Sequence, residues 1–196
     1  MVAKGFDFPK VTLVGVLSAD RSLYSADYRS FERTFSLLTQ VVGRSGRGSE
    51  GGSAIIQTVT PENNIIKLAA NQDYDSFYNE EIMNRKLMIY PPYCDIAQLV
   101  VQSTRRTDAE NGINQLFSLL KSNVENDYCD VKLNILGPSV ATVPKVNNKY
   151  RYRLIIKFRS FARFSDLLDK CLLEYNNSVF AKTSTVSVDI NPESII

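Results

Sequence analysis

The sequence predicts an α/β protein in two parts, a parallel β-sheet with helices over residues 1–92 and an α+β sandwich over residues 93–196. Three observations predict this division. Continuous β-branched runs alternate with amphipathic helical stripes in the first part. The Pro91-Pro92 dipeptide cannot continue a helix, and after it the predicted order is β-α-β-β-α-β. At 196 residues the chain is long enough for each part to bury its own core.

The first part is expected to follow the order βαβαα. Residues 11–17, VTLVGVL, are typical of a strand buried on both faces of a parallel sheet, and residues 53–60 predict a second buried strand. The helix between them should begin at Asp27 or Ser25 as N-cap and end at a run of glycines. Its apolar stripe consists of Tyr28, Phe31, Phe35, Leu38 and Val42, and the glycines are Gly43, Gly46 and Gly48.

Two more helices are predicted over residues 61–90, the first opened by Pro61. The helical spacing of Tyr74, Phe77 and Tyr78 favours packing at the junction of the two parts over a base-stacking platform. The neighbouring Glu80 and Glu81 are interpreted as a solvated face, because adjacent helical residues diverge.

The second part is expected to form a split-βαβ, ferredoxin-like sandwich. Its predicted strands cover residues 95–103, 131–137, 150–158 and 185–191, and its helices cover residues 107–126 and 161–176. The first of these helices carries the stripe Ile113, Leu116, Phe117 and Leu120. Pro138 and Pro144 predict a loop between the second and third strands.

The composition excludes several functional classes. The net charge of +2 implies no strong overall field, so any nucleic-acid contact must come from a local patch. Cys94, Cys129 and Cys171 form no CxxC pair and the chain has no histidine, which argues against a zinc site, disulfides and imidazole-dependent catalysis. These features favour a reducing, cytoplasmic setting with small buried thiols. No apolar run reaches membrane-spanning length and no signal peptide is evident, so no membrane association is expected.

Two short motifs flank the first predicted strand and helix. The stretch GFDFP, Gly5–Pro9, is on its own a turn whose proline sets the angle at which the chain begins a strand. In QVVGRSGR, the spacing of Gln40, Arg44 and Arg47 would align all three on one face if the helical turn continued. The alternative is a glycine-terminated helix whose arginines offset its dipole, worth about 0.3–1 kcal/mol each.

A basic row is predicted on the strand over 150–158. Lys149, Arg151 and Arg153 should point to one face, with Lys145 extending the row from the preceding loop. The opposite, core-facing row consists of Tyr150, Tyr152, Leu154 and Ile156. The basic row would bind DNA phosphates or an acidic peptide; the alternative is an edge strand protected by charge.

Together, GxDxP before a strand and QxxGRxGR after the following helix resemble motifs V and VI in the second motor lobe of superfamily-2 helicases. The resemblance extends to a narrower family, the primosomal replication-restart DNA helicases, over essentially the whole chain. The similar segments are VAKGFDFPKVTLVGVLSAD, LYSADYRSFERTFSLLTQVVGRSGR, IIQTVTPENNIIK, DYDSFYNEEIMNRKLMIYPPY and VDINP.

This resemblance implies that residues 1–92 are the later part of a RecA-like second lobe and residues 93–196 an S10-like domain. Lys4, Gly5 and Asp7 would form motif V, which couples the ATP cleft to the DNA track. Gln40, Arg44 and Arg47 would form motif VI, whose arginines reach the γ-phosphate of ATP. The chain would start at an interior methionine. The family's phosphate-binding lobe, its Mg²⁺ and its two Zn²⁺ ions would lie outside it, so the segment alone is not expected to hydrolyse ATP.

The implied partners are forked and single-stranded DNA, other primosome proteins and the acidic C-terminal tail of single-stranded-DNA-binding protein. Lys149 and Arg153 would face that tail, although Tyr150 and Tyr152 stand where relatives carry tryptophans. Two alternatives remain open: a non-enzymatic adaptor that docks DNA or single-stranded-DNA-binding protein, and a lobe of another superfamily-2 translocase.

Overall fold

A computed structural model of the chain describes residues 12–43 and 52–195. The chain divides into two compact units, Met1–Leu87 and Met88–Ile196. The first contains a two-stranded parallel sheet and the second a four-stranded antiparallel sheet, which confirms a mixed α/β protein. Among the described residues, no helix is long and apolar enough to cross a membrane.

The first unit follows the predicted alternation of strands and helices, with one additional short helix. Its elements are β1 (Leu13–Val16), α1 (Asp20–Leu23), α2 (Ser30–Val42), β2 (Ser53–Ile56), α3 (Asn64–Ala70) and α4 (Tyr74–Met88). Its core is formed by Ala19, Leu23, Phe35, Leu38, Ile65, Ile66, Ala69 and Phe77.

The prediction that β1 and β2 are buried on both faces is wrong for the described residues. Val16 and Ile56 pack against the helical core, whereas Leu13 and Ile55 on the other face are 59% and 60% exposed. Because side chains alternate along a strand, helices on one face leave every second residue uncovered.

The helix starts also differ from the expectation. Arg29, and not Asp27 or Ser25, is the N-cap of α2, although the Asp27 carboxylate accepts a hydrogen bond from the Arg29 backbone N–H at 3.0 Å. Asn63 caps α3, its side chain accepting from the Ile65 N–H at 2.9 Å, so Pro61 lies before the helix and does not open it. In both cases a polar side chain satisfies an N–H near the start of the helix.

The second unit has the predicted β-α-β-β-α-β order. Its elements are β3 (Asp95–Ser103), α5 (Arg106–Asn126), β4 (Leu133–Val146), β5 (Lys149–Phe158), α6 (Phe161–Asn176), a 3₁₀ turn (Val179–Lys182) and β6 (Thr185–Ile190). The strand order is β4-β5-β3-β6, with every neighbouring pair antiparallel. Strand β5 thus lies between β3 and β4 and splits the first βαβ unit.

The predicted loop at Pro138 and Pro144 is instead part of strand β4. The β4–β5 register shifts between Leu136 and Ser139 and again between Val140 and Lys145, so each proline lies at an irregularity. An edge strand accommodates prolines in this way because a bulge removes the need for a ladder N–H.

Helices α5 and α6 cover one face of this sheet and form the larger core. Ile113, Leu116 and Leu120 of α5 are fully buried against Leu154 and Ile156 of β5. Two of the three thiols, Cys94 and Cys171, are buried as expected, but Cys129 is exposed.

Gly112 lets α5 approach the sheet closely. A Cβ at this position would lie 2.5 Å from the Tyr175 hydroxyl and 2.9 Å from Val101 Cγ1. Neither neighbour can move freely, because Val101 is fully buried and the Tyr175 hydroxyl forms a buried 2.6 Å hydrogen bond with Ser184.

We therefore expect Gly112→Ala to lower the free energy of unfolding by about 1–2 kcal/mol, because overpacking outweighs the helix preference of alanine. Urea unfolding followed by circular dichroism measures the effect. Asn111→Ala, at the exposed neighbouring position on the same helix, is the control and should change stability by less than about 0.5 kcal/mol. Equal stability of the two variants would contradict the close approach of α5.

Candidate functional site

The predicted motif residues of the first unit fall mostly outside the part of the chain that the structure describes. Gln40 lies exposed in the last turn of α2, which ends at Val42. The C-cap is Gly43, as predicted, and its N–H donates to the Thr39 carbonyl at 2.9 Å. The helix therefore ends within three residues of the motif glutamine.

Five motif positions lie outside the described residues, and their roles stay predictions. They are Lys4, Gly5, Asp7, Arg44 and Arg47.

Helix α2, which leads to the second motif, is held against α4 by Arg85. Its Nε donates to Glu81 Oε1 and its Nη2 to Glu32 Oε2, both at 2.7 Å, and its guanidinium lies 5.6 Å from the centre of the Tyr28 ring. Burial alone would lower the pKa of Arg85, but the hydrogen bonds to Glu81 and Glu32 raise it. The guanidinium is therefore firmly charged and ties the two helices together.

This cluster corrects the interpretation of Glu80 and Glu81 as one solvated face. Glu80 is exposed and accepts from the Asn64 amide, whereas Glu81 is buried against Arg85.

The packing prediction for the aromatic residues of α4 is confirmed for Phe77, which stacks on Phe35 with ring centres 4.1 Å apart. Tyr74 and Tyr78 are 59% and 50% exposed; their ring centres lie 6.1 Å apart, and that of Tyr74 lies 6.3 Å from the centre of the Phe35 ring. Of these three aromatic residues, Phe77 belongs to the core of the first unit.

In the second unit, the predicted alternation of β5 is confirmed. The inward row of Tyr152, Leu154 and Ile156 belongs to the core beneath α5 and α6. The other row therefore lies on the face away from both helices, which we call the open face. Its residues on β5 are Lys149, Arg151, Arg153, Ile155 and Lys157.

Arg153 lies at the centre of the open face, opposite Val100 on one side and Ser139 on the other. Its Nη1 donates to the backbone carbonyl of Ile195. Its Nε is buried and has no hydrogen-bond partner among the described residues. Burial, and then the like charge of Arg151, lower the pKa of Arg153.

Lys157 is a further cation of this face that the sequence interpretation missed. It is 7% exposed, its Nζ donates to the Met88 carbonyl at 2.8 Å, and it lies 3.5 Å from the centre of the Tyr90 ring. Burial lowers its pKa. The period-2 pattern could have predicted its face, but Ile155 interrupts the basic row.

The side chains of Lys149 and Arg151 are half-buried and form no hydrogen bond or ion pair with any described residue. Arg151 lies opposite Gln102, which lies opposite Thr185 on the edge strand. Within the described part of this face, the strands contribute one carboxylate, Asp189 of β6. The open face thus presents cations that outnumber the carboxylates of its strands.

Lys145 does not extend the row as predicted. It lies on strand β4 opposite Tyr150, with its Nζ 4.6 Å from the centre of that ring. Residues that pair across strands share a face, so Lys145 is on the helix-covered side.

The hydroxyl of Tyr152 connects the helix-covered side of β5 to α5. Tyr152 Oη accepts a hydrogen bond from Arg106 Nε and donates one to Glu110 Oε2, both at 3.1 Å.

In their charged forms, the cations of the open face can bind an anion. Lysine and arginine donate hydrogen bonds and offer no acceptor. Among the described residues, no group of three or more histidine, cysteine, aspartate or glutamate side chains could hold a metal ion. The chemistry that these cations offer is therefore electrostatic recognition.

The fold and the site define the second unit as a split-βαβ domain with a cationic open face. The family of the primosomal protein N C-terminal domain matches residues 86–193, and the chain belongs to that family.

Several curated relatives are named replication restart protein PriA. The chain is 42% identical over 192 residues to that of Bacillus subtilis, covering 98% of this chain and 23% of the relative. It is 35% identical over 195 residues to that of Synechocystis, covering 100% and 22%, and 32% identical over 198 residues to that of Borreliella burgdorferi, covering 100% and 28%. The chain thus spans about a quarter of the length of the relatives it matches.

Glu81→Gln should lower the free energy of unfolding of the first unit by about 1.5–3 kcal/mol, because it weakens a buried hydrogen bond between charged groups. Glu80→Gln, one position away, keeps an oxygen that accepts from Asn64 and should change stability by less than about 0.5 kcal/mol. Urea unfolding of both variants provides the measurement. A Glu81→Gln variant as stable as Glu80→Gln would show that the Glu81–Arg85 pair within α4 contributes little to the stability of the first unit.

Proposed function

We propose that this chain is the C-terminal segment of an ATP-dependent DNA helicase that moves 3′ to 5′, restarts stalled replication forks and initiates primosome assembly. The observation that carries the proposal is family membership together with similarity to proteins named replication restart protein PriA along the whole chain. The QxxGRxGR motif, which begins in the last turn of α2, supplies the link to ATP.

In this proposal Arg44 and Arg47 act on ATP held by the first motor lobe. Their guanidinium groups stabilise the negative charge that spreads over the γ-phosphoryl group during transfer. Gln40 orients this group of residues, while Lys4, Gly5 and Asp7 couple the cleft to the DNA track. The segment alone lacks the phosphate-binding loop and is inactive as an ATPase, so turnover requires the longer protein.

The open face of the second unit holds DNA or a protein tail in the same proposal. Lys149 and Arg151 support it because both side chains are cationic and unpaired among the described residues. DNA phosphates and the carboxylates of a single-stranded-DNA-binding protein tail would each meet charged donors there. A domain that only docks these partners, with no motor, is the competing function.

Arg47→Ala in the intact protein should reduce DNA-stimulated ATP hydrolysis by roughly 10³-fold or more, the scale of losing an arginine finger. Arg47→Lys should be nearly as defective, because lysine lacks the planar fork. The control is Arg105→Ala, which removes a 69% exposed arginine of the second unit and should leave hydrolysis unchanged. Undiminished hydrolysis in Arg47→Ala would show that Arg47 is not an arginine finger.

The double variant Lys149→Gln/Arg151→Gln should weaken binding of single-stranded DNA. It should also reduce the slope of log K against log salt by about 0.7 for each phosphate that is no longer bound. Fluorescence anisotropy at several salt concentrations measures both effects. Lys182→Gln is the control, because this exposed lysine lies in the 3₁₀ turn that packs on α5 and α6. An unchanged slope in the double variant would show that Lys149 and Arg151 do not contact phosphates.

A further inference from the structure

The chain reverses direction after strand β6 and returns across the open face. Asn191 makes the turn with a positive φ of 50°. Its N–H donates to the Ile96 carbonyl at 2.7 Å, and its side-chain oxygen accepts from the Ile96 N–H at 3.0 Å. We call the following residues, Pro192–Ile195, the strap.

The strap occupies the centre of the open face. Pro192 and Ile195 are buried, and the Ile195 carbonyl accepts from Arg153. Val100 and Ile155 flank Arg153 on this face and are 6% and 8% exposed, although α5 and α6 pack on the other side. Their burial is consistent with an apolar surface beneath the strap. We call this pair of side chains, Val100 and Ile155, the floor.

The strap is an incomplete partner for Arg153. A single carbonyl oxygen accepts from Nη1, while the buried Nε has no partner among the described residues. A carboxylate has two oxygens and can accept from Nε and a terminal nitrogen together. A peptide that carries a carboxylate beside an aliphatic residue would therefore satisfy both the guanidinium and the floor.

We propose that the strap is a displaceable occupant of the open face, and that it must leave before this face binds an extended peptide with a carboxylate next to an aliphatic side chain. The proposal rests on the proposed anion-binding function of the face. A peptide fits better than DNA because Val100 and Ile155 make the floor apolar, and a phosphate backbone gains nothing from apolar cover.

The test is an NMR titration of the 196-residue chain with the acetylated and amidated peptide Ser-Glu-Ile-Ser, in which a carboxylate stands next to an aliphatic side chain, followed at the Arg153 Nε–H signal. Arg153→Lys identifies that signal by its loss. Ile195→Ser removes the apolar anchor of the strap and should tighten binding of the peptide about tenfold relative to the unaltered chain. The reason is that the strap competes with the peptide from within the same chain, and the substitution weakens its hold on the open face. Leu173→Ser, at a 64% exposed position on α6, is the matched control and should bind like the unaltered chain.

Equal peptide affinity in Ile195→Ser, Leu173→Ser and the unaltered chain would overturn the proposal. So would a gain of affinity in Ile195→Ser for a single-stranded oligodeoxythymidylate but not for the peptide. Neither result depends on the salt slope of Lys149→Gln/Arg151→Gln, so failure of the strap and failure of the proposed DNA contact are distinguishable.

A second measurement tests whether the strap is docked. In a Cys129→Ser background, the thiol of Ile195→Cys should react with a maleimide at least about tenfold more slowly than that of Leu173→Cys, and added peptide should accelerate it. Equally fast labelling at the two positions, or labelling that the peptide does not accelerate, would contradict a docked and displaceable strap.

Discussion

The pleat of strand β5 is the constraint on which the second unit depends. Successive side chains must point to opposite faces, and the inward row of Tyr152, Leu154 and Ile156 fills the core beneath two helices. The outward row therefore has to take the remaining residues of the strand, four of which are cations. Because β5 is flanked by β3 and β4, these cations lie within the sheet and not at its edge.

Buried cations have different hydrogen-bond partners in the two units. Arg85 in the first unit meets two carboxylates, and hydrogen bonds to them raise its pKa despite burial. Arg153 and Lys157 in the second unit meet backbone carbonyls, and burial lowers the pKa of both. A carbonyl satisfies a donor but carries no net charge, so the field of these cations remains available to an anion.

The limits and faces of an element could be predicted from the sequence where its pattern of hydrophobic residues ran without interruption. Strand β3 and helix α6 have the predicted limits, and the faces of β5 follow from its alternation. Strand β4 was predicted too short because prolines indicate a loop, whereas an edge strand absorbs them in bulges. Those bulges also placed Lys145 on the unexpected face. The burial of Glu81 depends on Arg85 and on distant Glu32, and a local pattern cannot predict such a partner.

The net charge of +2 is a poor guide to what an approaching anion meets, because the counter-charges are unevenly placed. The ion pairs of the second unit among the described residues lie on its helices and adjoining turns: Arg105 with Asp108, Arg163 with Asp130, and Lys170 with Asp127. On the open face, Lys149, Arg151, Arg153 and Lys157 take part in none of these ion pairs. The strands of the open face therefore carry more cations than carboxylates, a local excess of positive charge that the net charge of the chain does not reveal.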